Sequence, residues 1–157
     1  LFAAAIYNPL HYANDLPLTI RLITGMYSGL VFALCLTVFI GRLAKYRFFS
    51  EKDIDGGGLT DGTQDAKILQ SELQNTIEQT LLASLVYTGW IAIMPSRWLS
   101  VVPTATLLFV CGRLCFVLGY KKGAPARSLG FTLTFYPSVF MLLACVIYVT
   151  LTSLFHL

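Results

Sequence analysis

The chain predicts an all-α fold: an integral membrane four-helix bundle with a short extra N-terminal segment. Three observations carry this. Apolar residues make up 56% of the 157 residues and charged residues 12%, about half the ~25% charged share of a typical soluble domain. The mean hydropathy is +0.70. Four apolar stretches approach the ~20 residues that a helix needs to cross a hydrocarbon core, and helices are structures that satisfy their own backbone there. The formal charge of +3 is too small to imply a nucleic-acid partner.

The opening, Leu1-Phe2-Ala3-Ala4-Ala5-Ile6-Tyr7, lacks the basic region of a cleavable signal peptide. Pro9 and Pro17 interrupt the next stretch, so residues 1–17 read as an interfacial or re-entrant segment too short to span. Residues 18–157 read as the four-helix transmembrane domain. The first spanning helix is expected over about 18–41. It contains Gly25-Met26-Tyr27-Ser28-Gly29, a spacing that permits close helix contact. Residues 42–64 are polar, and the Gly- and Asp-rich stretch from Asp53 to Gly62 reads as a mobile loop. The second helix should begin near Thr63 or Asp65 and end at Met94, before Pro95. The third covers about 98–120, with Pro103 tolerated in its first turns. The fourth covers about 126–155, with Pro137 as the expected kink.

Lys and Arg set the expected orientation. Arg42, Lys45, Arg47, Lys52, Lys67, Lys121, Lys122 and Arg127 fall on one side, against Arg21 and Arg97 on the other. The loops after helices one and three are therefore expected to be cytoplasmic, with both termini opposite. Trp90 and Trp98 fall near the far interface. The four cysteines, Cys35, Cys111, Cys115 and Cys145, lie in apolar stretches without metal-site spacing and read as packing residues.

Polar residues within these helices require a reason, because ionisable groups are costly in a bilayer. The second helix has only a short strongly apolar run, Leu81 to Met94, so its crossing draws on the turns before it. Asn75 and Glu78 then sit at the cytoplasmic edge, near one face at i,i+3. Arg113 precedes Tyr120 by seven residues, on one face and about 10 Å away along the axis. An Arg113–Glu78 ion pair between neighbouring helices is the simplest expectation, and Glu78→Gln is then expected to destabilise the bundle. Arg127 and Ser128 open the fourth helix after Pro125, where two free N–H groups, a hydroxyl and a guanidinium suit an anion. Arg127 also reads as ordinary positive-inside charge, and Arg42 as a membrane-edge anchor able to reach an anionic ligand.

The order of these motifs resembles a known family. Asn75-Thr76-Ile77-Glu78-Gln79 on helix two, Arg113 to Tyr120 on helix three and Ala124-Pro125-Ala126-Arg127-Ser128 opening helix four are similar to marks of the membrane-associated proteins in eicosanoid and glutathione metabolism (MAPEG). The match is nearest to the less-studied, largely bacterial branch and covers about residues 18–155. The resemblance implies a homotrimer with glutathione as co-substrate, bound between subunits at the cytoplasmic side. It implies that Asn75 and Glu78 hold the peptide part, with Arg113 and Tyr120 also lining the site. Arg127 would stabilise the thiolate beside Ser128, and Arg42 would reach the site from helix one. Ser71 and Gln74 stand where the family's catalysts place arginines, and Lys67, a turn earlier, could compensate only by a long reach. Phe116 stands where some members have His or Tyr, and Phe131 where one branch has Tyr.

Two functions follow from the resemblance. One is a glutathione-dependent transferase or peroxidase acting on lipophilic electrophiles. The other is a non-catalytic accessory or lipid-binding subunit of a larger membrane complex, with membrane lipids as neighbours. An unrelated haem or quinone carrier is the third reading; haem would draw on His11 and His156.

Overall fold

The computed structural model describes residues 1–155; His156 lies outside the described residues. Among the described residues five α-helices run in order: α1 (Phe2–Tyr7), α2 (Leu18–Phe48), α3 (Gln64–Ile93), α4 (Val101–Tyr120) and α5 (Ala124–Phe155). A 3-10 turn, Ser96–Trp98, precedes α4. The four long helices form the expected membrane bundle, with sequential helices antiparallel. Three of them, α2, the Ser96–Tyr120 stretch and α5, are long and apolar enough to cross a membrane. The equally long α3 carries more polar side chains and lies against α2 and α5.

The boundaries reflect local chemistry. Pro17 precedes α2, which runs to Phe48, well past the expected end, because Arg42, Lys45 and Arg47 tolerate a helix beyond the apolar region. Thr63 caps α3, its hydroxyl accepting from the Ala66 N–H at 3.3 Å. Arg21 donates to the Met94 carbonyl at 2.6 Å and so satisfies a group freed where Pro95 stops α3. Pro103 sits in the first turn of α4, where its missing N–H is harmless. Gly123, with φ of 95°, turns the chain into α5, which continues through the buried Pro137.

The core is an aromatic and aliphatic cluster toward the end opposite the basic residues. Phe32 packs tilted on Phe109 and edge-on to Tyr87, with centroids 4.6 and 5.4 Å apart. Trp90 is buried, and its indole N–H donates to the Trp98 carbonyl at 3.1 Å. The short α1 closes this end. Ala4 is buried in the cluster, the Ser100 hydroxyl donates to Asn8 Oδ1 at 2.6 Å, and the Leu16 N–H donates to Ser96 Oγ at 3.3 Å. The N-terminal segment thus packs on the α3–α4 connection.

Close packing between α4 and α5 depends on glycine. A Cβ at Gly130 would stand 2.6 Å from Phe116 Cα, and one at Gly112 would stand 2.9 Å from the Gly130 carbonyl oxygen. At Gly119 it would reach 2.6 Å from the Ala126 carbonyl carbon. The Gly25–Gly29 pair does not act this way. Gly25 faces the flexible end of Ile91, and Gly29 has open space.

The α2–α3 connection is organised rather than plainly loose, contrary to expectation. Asp53 is buried. Its carboxylate accepts from the Thr63 N–H at 2.7 Å, the Thr63 hydroxyl at 2.9 Å and the Ser50 hydroxyl. The Ser50 hydroxyl, followed by the Thr63 N–H, holds the Asp53 pKa below the usual carboxylate value. Gly56 and Gly62 take positive φ and turn the chain around this carboxylate.

Candidate functional site

The antiparallel order places the C-terminal ends of α2 and α4 beside the N-terminal ends of α3 and α5. Every Lys and Arg except Arg21, Arg97 and Arg113 falls at that end. A crevice of about 380 Å³ opens there between α3, α4 and α5, lined by Asn75, Tyr120, Arg127 and Ser128 together with Phe116 and Phe131. The volume is within the range of small-molecule sites, roughly 300–1,000 Å³.

Each of these side chains is positioned by the helix packing. Gly119 lets the start of α5 approach α4, which brings Arg127 over the Tyr120 ring at 4.8 Å, a cation–π contact that restrains the guanidinium. Tyr120 stands edge-on to Phe116 at 5.3 Å. Arg127 is half-buried and is the one charged residue among those lining the crevice. Two expected anion-site donors are otherwise engaged. The helix starts at Ala124, three residues before Arg127, so the Arg127 N–H already donates to the Gly123 carbonyl at 3.3 Å. The Ser128 hydroxyl donates to the Pro125 carbonyl at 2.7 Å. The guanidinium, rather than the helix terminus, is what remains for an anion.

The expected Arg113–Glu78 pair is not formed. Arg113 is only 2% exposed. It donates to Asn75 Oδ1 at 2.9 Å and to the Thr134 hydroxyl at 2.6 Å, and lies over the Phe116 ring at 4.7 Å. Its Nε–H is buried without a partner. Arg113 therefore stands behind Asn75 and fixes the amide that lines the crevice. Glu78 is exposed on the outer face of α3, where its carboxylate accepts from Gln74 at 2.9 Å. The reason is helical phase: two residues, about 200°, separate Glu78 from the fully buried Thr76.

The inward acid of α3 is instead Glu72, paired with Arg42 at 2.8 Å and itself 3% exposed at the side chain. Arg42 and Glu78 thus lie outside the crevice of the single protomer. Lys121 pairs with Asp65 at 2.7 Å, which raises the Lys121 pKa through that hydrogen bond and charge. Together the two pairs tie the start of α3 to α2 and α4. Sequence reasoning missed Glu72, Thr134 and Asp53. Only the 3.6-residue phase of the buried Thr76, Gln79 and Ala83 could have pointed to Glu72, and nothing local marked the other two. Among the described residues no group of three His, Cys, Asp or Glu side chains forms a metal site.

Fold and site together define a membrane-embedded helical-bundle protein with a cationic crevice at one end. The MAPEG family model matches residues 20–147, and the chain belongs to the MAPEG family. Neither the curated proteins nor the solved structures contain a match to it.

Proposed function

We propose that the protein is a glutathione-dependent transferase or peroxidase acting on lipophilic electrophiles, with Arg127 as the thiolate-stabilising residue. The observation that carries this reading is the half-buried Arg127 guanidinium, held over Tyr120 in a crevice that no carboxylate lines among the described residues. The residues present fit an anionic peptide thiol. Arg127 offers charge, Asn75 an amide fixed by Arg113, and Tyr120 a hydroxyl.

A free thiol has a pKa near 8.5, and an adjacent cation lowers it so that thiolate is available at neutral pH. Bound glutathione would supply that nucleophile for an electrophilic carbon or a hydroperoxide. The buried Phe116 and the half-buried Phe131 provide the apolar wall of the crevice, and a lipophilic substrate enters it from the bilayer. Tyr120 positions Arg127, and Arg113 orients Asn75. The family resemblance supports a homotrimer whose subunits cover the exposed polar face of α3 carrying Gln74 and Glu78. The excess of Lys and Arg at the crevice end supports a cytoplasmic orientation for it.

Titration calorimetry of the detergent-solubilised protein with glutathione, paired with a turnover assay on a chlorinated aromatic and a lipid hydroperoxide, tests the reading. Binding that falls at least ~10-fold in Arg127→Ala, with the fold retained, supports it; a charge-assisted contact is worth about 1.5–3 kcal/mol. A parent protein that binds no thiol would favour the accessory-subunit reading. That reading has its own support: Ser71 and Gln74 put no cation on this part of α3.

A further inference from the structure

Ser71 borders more than the crevice at Arg127. A second cavity of about 550 Å³ is lined by Ser71 on its other side, together with Lys67, Gln70, Arg47, Asp61 and Asp53. Lys67, Ser71 and Asn75 are spaced i, i+4, i+8, so they form one row along α3, each step about 6 Å. The Ser71 hydroxyl donates back to the Lys67 carbonyl at 2.9 Å, so the one side chain that borders both cavities is folded against its own helix.

The two cavities differ in charge. The first holds one cation, Arg127. The second holds two cations and two acids. Asp53 is committed to Ser50 and Thr63, and Arg47 is held against Gln70 at 2.5 Å. Lys67 and Asp61 are exposed, and neither belongs to an ion pair among the described residues. The second cavity thus offers both a cation and an anion to a ligand already anchored at Arg127. One end of glutathione has that character: the γ-glutamyl group carries an α-carboxylate and an α-ammonium on one carbon. An extended tripeptide reaches at most about 10–11 Å, comparable to two steps of the α3 row.

We propose that the cavity formed by the α2–α3 connection is a subsite for the γ-glutamyl end of the peptide thiol, with Lys67 taking its carboxylate and Asp61 its ammonium. This rests on the thiol-binding reading of the Arg127 crevice. It assigns the carboxylate recognition absent from positions 71 and 74 to Lys67, a turn earlier on the same helix. The organised Asp53 turn is then what holds the subsite in place.

The test is calorimetry with three thiols, glutathione, γ-glutamylcysteine and cysteinylglycine, on the full protein and on Lys67→Ala and Asp61→Asn. Both substitutions are at exposed positions, and thermal unfolding of each variant verifies the fold. Each variant should weaken glutathione and γ-glutamylcysteine about tenfold and leave cysteinylglycine unchanged, with Lys67→Arg restoring most of the Lys67 loss. Equal weakening of all three thiols, or no weakening, in variants of a parent that binds glutathione overturns the subsite alone. A parent that binds none of the three overturns the reading of the crevice itself.

Discussion

Arg113 illustrates how a bundle interior accommodates a guanidinium without an acid. Its charge is held by the Asn75 amide, the Thr134 hydroxyl and two aromatic faces, with Phe109 at 5.8 Å the second. Thr134→Val removes one acceptor from a buried cation and should cost about 1–3 kcal/mol. Arg113→Ala leaves Asn75 and Thr134 without their donors and opens space against Phe109, so it should cost more, about 2–5 kcal/mol. Glu78→Gln, at an exposed site, should stay within about 0.5 kcal/mol, reversing the expectation from sequence. Thermal unfolding in one detergent ranks the three. Asp53 gives a pH signature. Its folded pKa lies below the unfolded value near 3.9, so its contribution is complete above that value and is lost as pH falls through the lower, folded one. The stability gap between the parent and Asp53→Asn should be constant at neutral pH and shrink on acidification below about pH 4. A gap that widens there would show the assignment to be wrong. At this scale the sequence identified Arg113 as a residue needing partners but not which ones. Spacing along one helix says little about the phase of its neighbour, and Thr134 carries no local mark.

Among the elements, the α4–α5 pair is the one whose geometry creates the site. Gly112, Gly119 and Gly130 allow backbone contact, and that contact sets Arg127 on Tyr120. Gly130→Ala forces a Cβ into the α4 backbone near Phe116 and should destabilise by about 1–3 kcal/mol. Gly29→Ala, with nothing within 4 Å, should be neutral or slightly stabilising through helix propensity. Unfolding curves that rank these two the other way would contradict this packing. The helix count and most boundaries were legible because long apolar runs, prolines and Thr63 act locally. The small-residue motif that drew notice, at Gly25 and Gly29, was not the one used between α4 and α5. Glycine spacing shows where close approach is permitted, while the partner that approaches is a property of two helices.

For the molecule as a whole, antiparallel connection gathers eight Lys and Arg side chains at one end and leaves the aromatic core and α1 at the other. If the proposed orientation holds, single cysteines introduced at Lys122 and at Asp15, in a background lacking the four native cysteines, should react with a membrane-impermeant thiol reagent from opposite sides of sealed vesicles. Labelling of both from one side would refute it. Composition, the lengths of the apolar runs and the charge distribution determined by themselves that this is a helical membrane bundle with its polar chemistry at one end. Those properties depend on burial and on local backbone preference, which each stretch of chain carries independently. Only the tertiary structure decided that Arg113 answers to Asn75 and Thr134, that Glu72 rather than Glu78 turns inward to Arg42, and that Asp53 builds a second cavity next to the first. These depend on the rotation of each helix about its own axis and on contacts between residues far apart in sequence, which are fixed by the packing of all four helices together.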